Sequence, residues 1–167
     1  MKRINLRFLR ASNVTDPLYD LPRWKTFSTQ FETNPIMSVR GIDVSDVHGA
    51  IDWYTVADSD LAYAVTQATD GITSVANTFS TNWNAIAEVG LVRGASHVFR
   101  PEIDAQAQAE RFLSVVALEP GDLPPVAIVQ THSQVNVDTL VTRLQTWLNF
   151  IERNAQRPPE LYTTLSF

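Results

Sequence analysis

Carboxylates and imidazoles are the side chains of this sequence that could bind a metal or act as acids and bases, because cysteine is absent. The lack of cysteine excludes disulfide frameworks, thiolate zinc sites and cysteine nucleophiles. Asp43, His48 and His132 could together bind zinc, since neutral imidazoles and a carboxylate suit that ion. No His-x-x-x-His spacing accompanies them, so we predict no metal site and no cofactor.

Alternating strand-like and helix-like segments must position any functional side chains from residue 37 onward. Short apolar runs bounded by Gly, Pro or Asp are typical of buried parallel strands, and they predict strands near 37–44, 61–69, 92–99, 124–130 and 159–165. Apolar residues at helical spacing predict helices between the strands, over 51–58, 79–87, 105–116 and 140–151. This alternation favours an α/β fold with right-handed βαβ units and a parallel sheet. Trp53, Trp83 and Trp147 lie on the apolar helical faces, so we expect them in the core.

The first 36 residues form a basic N-terminal arm that does not continue the alternation. Residues 1–40 carry seven Lys or Arg against three acids, whereas residues 41–167 carry six Arg against fifteen acids. Ile4, Leu6 and Phe8 alternate with polar residues, as in a half-buried strand, and Trp24 is an aromatic contact point flanked by cations. We predict that the arm docks on an acidic surface or an open sheet edge, of this copy or of another protein chain. The alternative is that a short arm simply happens to be basic.

The composition excludes several classes of protein. Hydrophobic residues make up 44% and charged residues 19% of the chain, as in globular proteins. No run approaches the ~18 apolar residues of a membrane span, and polar residues interrupt the N-terminal stretch where a signal peptide needs an apolar run. We therefore expect a protein made in the cytoplasm with no membrane partner. The acidic body argues against nucleic-acid binding.

Six segments of the sequence resemble those of glycoside hydrolase family 25, the muramidase-type lysozymes of bacteria and phages. The first, GIDVSDVHGAIDW at 41–53, is similar to the family's opening strand and helix. The others, in the family's order, are QATDG (67–71), TFSTNWNAIAEVGLVRGASHVFRP (78–101), DAQAQAERFL (104–113), GDLPPVAIVQ (121–130) and LQTWLNFIERNAQRPPELYTTLSF (144–167). Single motifs of this kind are weak, but six in register over about three quarters of the chain are specific.

The resemblance implies a variant (β/α) barrel that cuts the glycan of peptidoglycan. The predicted fold is therefore an incomplete (β/α) barrel of about five βα units over 37–167, preceded by the arm. Glycoside hydrolysis needs carboxyl groups in two roles, since the leaving oxygen must be protonated while the oxocarbenium-like centre is stabilised. The family supplies an Asp on its first strand, an Asp-x-Glu pair on its fourth and a late Asp near the C-terminus.

The carboxylates of the family are mostly missing from this sequence. Asp43 keeps the first-strand position, but Ile128 and Gln130 stand where the family has the Asp-x-Glu pair. Ile128 has no polar group, and Gln130 has no titratable proton to donate. The late Asp lies beyond the end of the sequence given. We therefore expect that no catalytic set is intact and that ordinary family chemistry is nearly abolished.

A remnant glycan cleft is the expected outcome of these substitutions. Its predicted residues are Asp43, Asp70, His97, Phe99, Arg100 and Gln130. Purely structural roles stay open for three of them. Asp43 could accept backbone N–H bonds, His97 could be a hydrogen-bonded core residue, and Arg100 could anchor a loop by pairing with a carboxylate such as Glu102. Ser96 replaces a family tyrosine, which weakens sugar stacking.

The function that we predict is a non-catalytic, muramidase-like subunit with a structural or assembly role. A phage particle or tail is the expected setting, which makes the protein virion-associated or released by lysis, and binding of cell-wall glycan stays open. The alternative is an active peptidoglycan N-acetylmuramidase with rearranged carboxylates, for instance Asp43 with Asp70. That alternative requires two carboxyl groups ~5–9.5 Å apart.

Overall fold

The computed structural model describes residues 39–130 and 135–163 of the chain. The predicted arm, with Ile4, Leu6, Phe8 and Trp24, lies outside these residues, as does His132. The docking of the arm, the assembly role and the division into an arm and a domain therefore stay predictions.

A curled parallel sheet with helices on its convex side forms the described structure, in agreement with the predicted α/β fold. Its parallel strands are β1 (Gly41–Val44), β2 (Tyr63–Asp70), β4 (Val92–Phe99), β5 (Val126–Val129) and β6 (Glu160–Thr163), in the spatial order β1-β2-β4-β5-β6. A two-residue strand, β3 (Ser74–Val75), pairs antiparallel with the end of β2 and was not predicted. The carboxyl ends of the parallel strands lie at one edge of the sheet.

Four α-helices connect the strands: α1 (Trp53–Ala57), α2 (Phe79–Glu88), α3 (Ala105–Val115) and α4 (Val137–Ala155). Short polar side chains begin three of them, because the first N–H groups of a helix need acceptors. Asp52, Asp104 and Asn136 each accept the N–H of the residue three positions later. None of the described helices is long and apolar enough to cross a membrane.

The main core lies between the convex face of the sheet and the helices. Trp147 and Ile151 of α4 and Phe112 of α3 are fully buried against the sheet. Trp53 and Trp83 are also buried, as their positions on apolar helical faces predicted. These large side chains are buried on the convex face, so the concave face of the sheet is available for a ligand-binding pocket.

A charged network closes the amino-terminal edge of the sheet. The Arg93 side chain, nearly buried, donates to Asp122 through Nε at 2.7 Å and to Glu119 through Nη2 at 2.7 Å. Its guanidinium also lies 4.2 Å from the ring centre of Trp83, within the range of a cation–π contact. In (β/α) barrels this edge serves stability and the opposite edge carries the site.

A β-bulge at Ala68 interrupts β2 two residues before the strand ends at Asp70. Gln67 pairs with Ser96 and Thr69 pairs with His97, so Ala68 is an extra residue on β2. Because side chains alternate between the faces of a strand, one extra residue reverses the face to which the following residues point. Thr69 consequently contacts His97 on the helix side of the sheet.

Candidate functional site

A pocket occupies the concave face of the sheet. Its cavity volume is about 30 Å³, within about 400 Å³ of free space that includes open solvent. Residues from β1, β2, β4, β5 and β6 line it: Gly41, Ile42, Asp43, Val65, Ser96, Val126, Ile128 and Tyr162. Most of this lining is apolar, so the few polar groups decide what the pocket can bind.

Asp43 is the only acidic residue among the described residues that line this pocket. Its neighbours Ile42 and Val44 pack in the core on the other face of β1, which fixes the direction of the Asp43 side chain. Burial of its carboxyl raises the pKa of Asp43 from 3.8 to about 6, and the charge of His48 and an N–H from Val44 oppose this rise. The residue as a whole keeps an exposed surface. Asp43 is thus a carboxyl that both protonates near neutral pH and is accessible from solvent.

The rest of the pocket lining is apolar apart from the hydroxyl groups of Ser96 and Tyr162. Ile128 of β5, which the sequence resemblance places where the family has an Asp, lines the pocket. Ser96 of β4 is fully buried, and its Oγ has no hydrogen-bond partner within the described residues. Tyr162 of β6 is half-buried and completes the wall.

Two further predicted site residues pair at the carboxyl edge of the sheet, where Asp43 also lies. Arg100 donates through Nε and Nη2 to the two carboxylate oxygens of Asp70, each at 2.6 Å. This bidentate pair raises the pKa of Arg100. Asp70, and not Glu102, is the carboxylate that anchors Arg100, and its two oxygens are occupied. Neither residue lines the pocket.

Gln130 follows directly after β5 and is exposed. It is two residues beyond Ile128, so strand alternation would place it on the concave side, but it does not line the pocket.

His97 and Phe99 lie on the opposite face of β4 from the predicted cleft. Both are buried, and the His97 ring stacks on Trp147 with 5.4 Å between ring centres. Burial lowers the pKa of His97 from 6.5 to about 4. The assignment of these two residues to the cleft is therefore corrected: the core role that we left open for His97 is the one the structure displays. Since β4 is buried on both faces, its sequence gives no alternation that could have told one face from the other.

Asp46 anchors the loop that leaves β1, a role not anticipated from the sequence. It belongs to a short 3-10 helix, Asp46–His48, and its carboxylate accepts the N–H groups of Asn77 and Thr78 at 2.9 Å and the Thr78 hydroxyl at 2.7 Å. These bonds lower the pKa of Asp46. They also satisfy backbone N–H groups at the start of α2, whose N-cap residue Thr78 makes no side-chain cap of its own. Local sequence patterns could not have revealed this role, because Asp46 contacts residues about thirty positions later in the chain.

The described residues contain no group of three or more His, Asp or Glu side chains that could hold a metal ion. The zinc arrangement considered above included His132, which falls outside them.

Comparison with known sequences identifies relatives along most of the chain. Residues 42–167 match the sequence profile of Glycosyl hydrolases family 25. YegX of Escherichia coli (strain K12) is 32% identical over 171 aligned positions, covering 98% of this chain and 62% of YegX. Lysozyme M1 of Streptomyces globisporus is 30% identical over 139 positions, covering 77% of this chain and 47% of the lysozyme. The chain thus spans less than two thirds of the length of these relatives.

Solved structures give the same picture. A family 25 glycosyl hydrolase from Bacillus anthracis superposes with a TM-score of 0.72 at 26% identity, covering 75% of this chain and 60% of that protein. The bacterial lysozyme from Streptomyces coelicolor superposes with a TM-score of 0.70 at 27% identity, covering 75% and 62%. The curled parallel sheet described above is therefore shared with these proteins.

Proposed function

Because the chain belongs to glycosyl hydrolase family 25, we propose that it is a muramidase-like domain that binds peptidoglycan glycan without hydrolysing it. The observation that carries this proposal is Ile128, whose apolar side chain lines the pocket together with Asp43. Glycosidases place two carboxyl groups across the scissile bond. The resemblance assigns one of those two positions to Ile128, which has no carboxyl group to offer.

Asp43 alone can fill one catalytic role at a time. With a pKa of about 6 it can donate a proton or, when ionised, stabilise positive charge. Hydrolysis requires both in the same transition state. Asp70 does not supply the second role, because both of its oxygens accept hydrogen bonds from Arg100 and it does not line the pocket.

Glycan binding needs less than catalysis does, and the pocket retains those elements. Sugars present hydroxyl and amide groups on a ring with apolar faces, so they bind where a few polar groups converge beside apolar or aromatic surface. Asp43 and the Tyr162 hydroxyl offer hydrogen-bonding groups, and Tyr162, Val126 and Ile128 offer the apolar or aromatic surface.

The second candidate is an active N-acetylmuramidase, favoured by the raised pKa of Asp43 and by relatives that are lysozymes. General acids of glycosidases have raised pKa values. On this candidate the second carboxyl group comes from outside the described residues.

The test measures binding and hydrolysis separately on the same material. The 167-residue protein is mixed with purified insoluble peptidoglycan; sedimentation reports binding, and new reducing ends report hydrolysis. We expect co-sedimentation without reducing ends. Asp43→Asn should weaken co-sedimentation, while Glu152→Gln, the same change at an exposed position on α4, should not. Reducing ends that disappear in Asp43→Asn would establish the active candidate, and absence of co-sedimentation would refute glycan binding.

A further inference from the structure

A buried polar chain connects β2, β4 and α3 beneath the edge of the sheet that carries Asp43. Thr69, His97 and Gln108 are each fully buried. Thr69 Oγ1 lies 2.7 Å from His97 Nδ1, and His97 Nε2 lies 3.1 Å from Gln108 Oε1. Gln108 then holds the backbone of Arg100 from both sides. We name these three residues the buried clamp.

Backbone groups fix the direction of every hydrogen bond in the buried clamp. Gln108 Oε1 accepts the N–H of Arg100 at 2.8 Å, and Gln108 Nε2 donates to the carbonyls of Arg100 at 2.9 Å and Ile103 at 3.2 Å. A backbone N–H can only donate and a carbonyl can only accept, so the side-chain amide has one possible orientation. The same oxygen must accept from His97, which places the proton of the neutral imidazole on Nε2. Nδ1 is therefore the acceptor, and the Thr69 hydroxyl donates to it.

The clamp ends at the Asp70–Arg100 pair, at the carboxyl edge of the sheet. Arg100 has its backbone N–H and carbonyl bound to Gln108, and its guanidinium bound to Asp70, the residue after Thr69. The hydrogen bonds thus form a closed circuit. It runs from Thr69 of β2 through His97 and Gln108 to Arg100, and returns to β2 at Asp70. Stacking of the His97 ring on Trp147 and its edge contact with Phe112 prevent the ring from turning.

We propose that His97 is a positioning residue: through Gln108 it sets the backbone of Arg100, and so it holds the Asp70–Arg100 pair at the carboxyl edge of the sheet, the edge that also carries Asp43. The effect on glycan rests on the function proposed above, whereas the effect on Arg100 does not. His97 touches no ligand in this role. Loss of its hydrogen bond leaves Gln108 Oε1 with one donor, the Arg100 N–H, instead of two, so the contact that holds the Arg100 backbone is weaker.

Two buried threonines of β2 provide a matched test. Thr69 bonds His97, whereas Thr66, equally buried, has no hydrogen-bond partner for its hydroxyl within the described residues. Thr69→Val and Thr66→Val therefore make the same chemical change, and only the first leaves His97 Nδ1 without a donor. His97→Phe is the second variant; it keeps a ring against Trp147 and removes both nitrogens.

The measurement is the NMR signal of the Arg100 Nε–H group and its exchange with water in the 167-residue protein. We expect exchange to accelerate about tenfold or more in Thr69→Val and His97→Phe, as the paired state opens more often, and to stay unchanged in Thr66→Val. A general loss of core packing would lower the unfolding temperature without this selective change. Unchanged Arg100 exchange in Thr69→Val would overturn the proposal.

Binding of N-acetylglucosamine oligosaccharides, followed on the same samples, separates the two proposals. Weaker binding in Thr69→Val than in Thr66→Val supports an effect of the Asp70–Arg100 pair on glycan binding, and equal binding overturns that part. If the wild type binds no oligosaccharide, the proposed function fails, while the Arg100 signal still decides the role of His97.

Discussion

Replacing Asp43 by asparagine should make the protein more stable at neutral pH. The Asp43 carboxyl is desolvated in the folded protein, and its pKa is raised from 3.8 to about 6. Between these two values the folded state binds more protons than the unfolded state, so stability falls as pH rises. The penalty is complete above about pH 6. The asparagine amide of the variant would carry no charge, and its oxygen could still accept the Val44 N–H.

The expected gain follows from the size of the pKa shift. A shift of ~2 pKa units corresponds to ~3 kcal/mol for a fully buried group. Asp43 keeps an exposed surface, so solvent screening reduces the expected gain to about 1 kcal/mol. Groups retained for function commonly lower stability in this way.

Urea denaturation at pH 7.0 and pH 4.0 measures this gain. Asp43→Asn should be more stable than the wild type at pH 7.0, and the difference should shrink at pH 4.0. Asp46→Asn is the control three residues away. Hydrogen bonds lower the pKa of Asp46, so its charge stabilises the protein above the unfolded pKa and this variant should lose stability at pH 7.0. A wild-type or lower stability of Asp43→Asn at pH 7.0 would refute the reasoning.

Three further predictions concern the scaffold. Arg93→Met leaves the Asp122 carboxylate buried without its partner, so urea denaturation should report a loss of about 3 kcal/mol. Gly41→Ala directs a methyl group into the Tyr63 ring, and calorimetry should report a lower unfolding temperature from a cost of about 1–3 kcal/mol. Burial lowers the pKa of His97 to about 4, so as the pH falls the unfolded chain binds the proton before the folded protein does. The free energy of unfolding should therefore fall by ~3 kcal/mol between pH 6.5 and 4 on account of this residue. His97→Phe should remove this pH dependence from unfolding free energies measured over a pH series.

The strands and helices were predictable because local sequence determines them. The predicted strand 92–99 is β4 at its full length. The predicted strands 37–44, 124–130 and 159–165 contain β1, β5 and β6, and the predicted strand 61–69 overlaps β2, which ends one residue later. The helical faces carrying Trp83 and Trp147 also turned inward as predicted. Apolar periodicity and glycine or proline boundaries are sufficient for such elements.

The candidate site was predictable in part, since alternation along a strand is informative only when one face is polar. Asp43 lies between apolar neighbours, and its direction followed from them. His97 and Phe99 lie in a strand that is buried on both faces, so their direction depended on which side α3 and α4 cover. The contact of Asp46 with Thr78 depends on packing between distant segments, which no local pattern records.

The extra residue Ala68 in β2 has a consequence for how this protein can change over time. Before it, Gln67 pairs with Ser96, a pocket residue; after it, Thr69 pairs with His97 of the buried clamp. One strand therefore serves two compartments through separate sets of side chains. A substitution on the pocket side, such as one at Ser96, can therefore alter the ligand surface while the hydrogen bonds of Thr69, His97 and Gln108 on the other side stay in place.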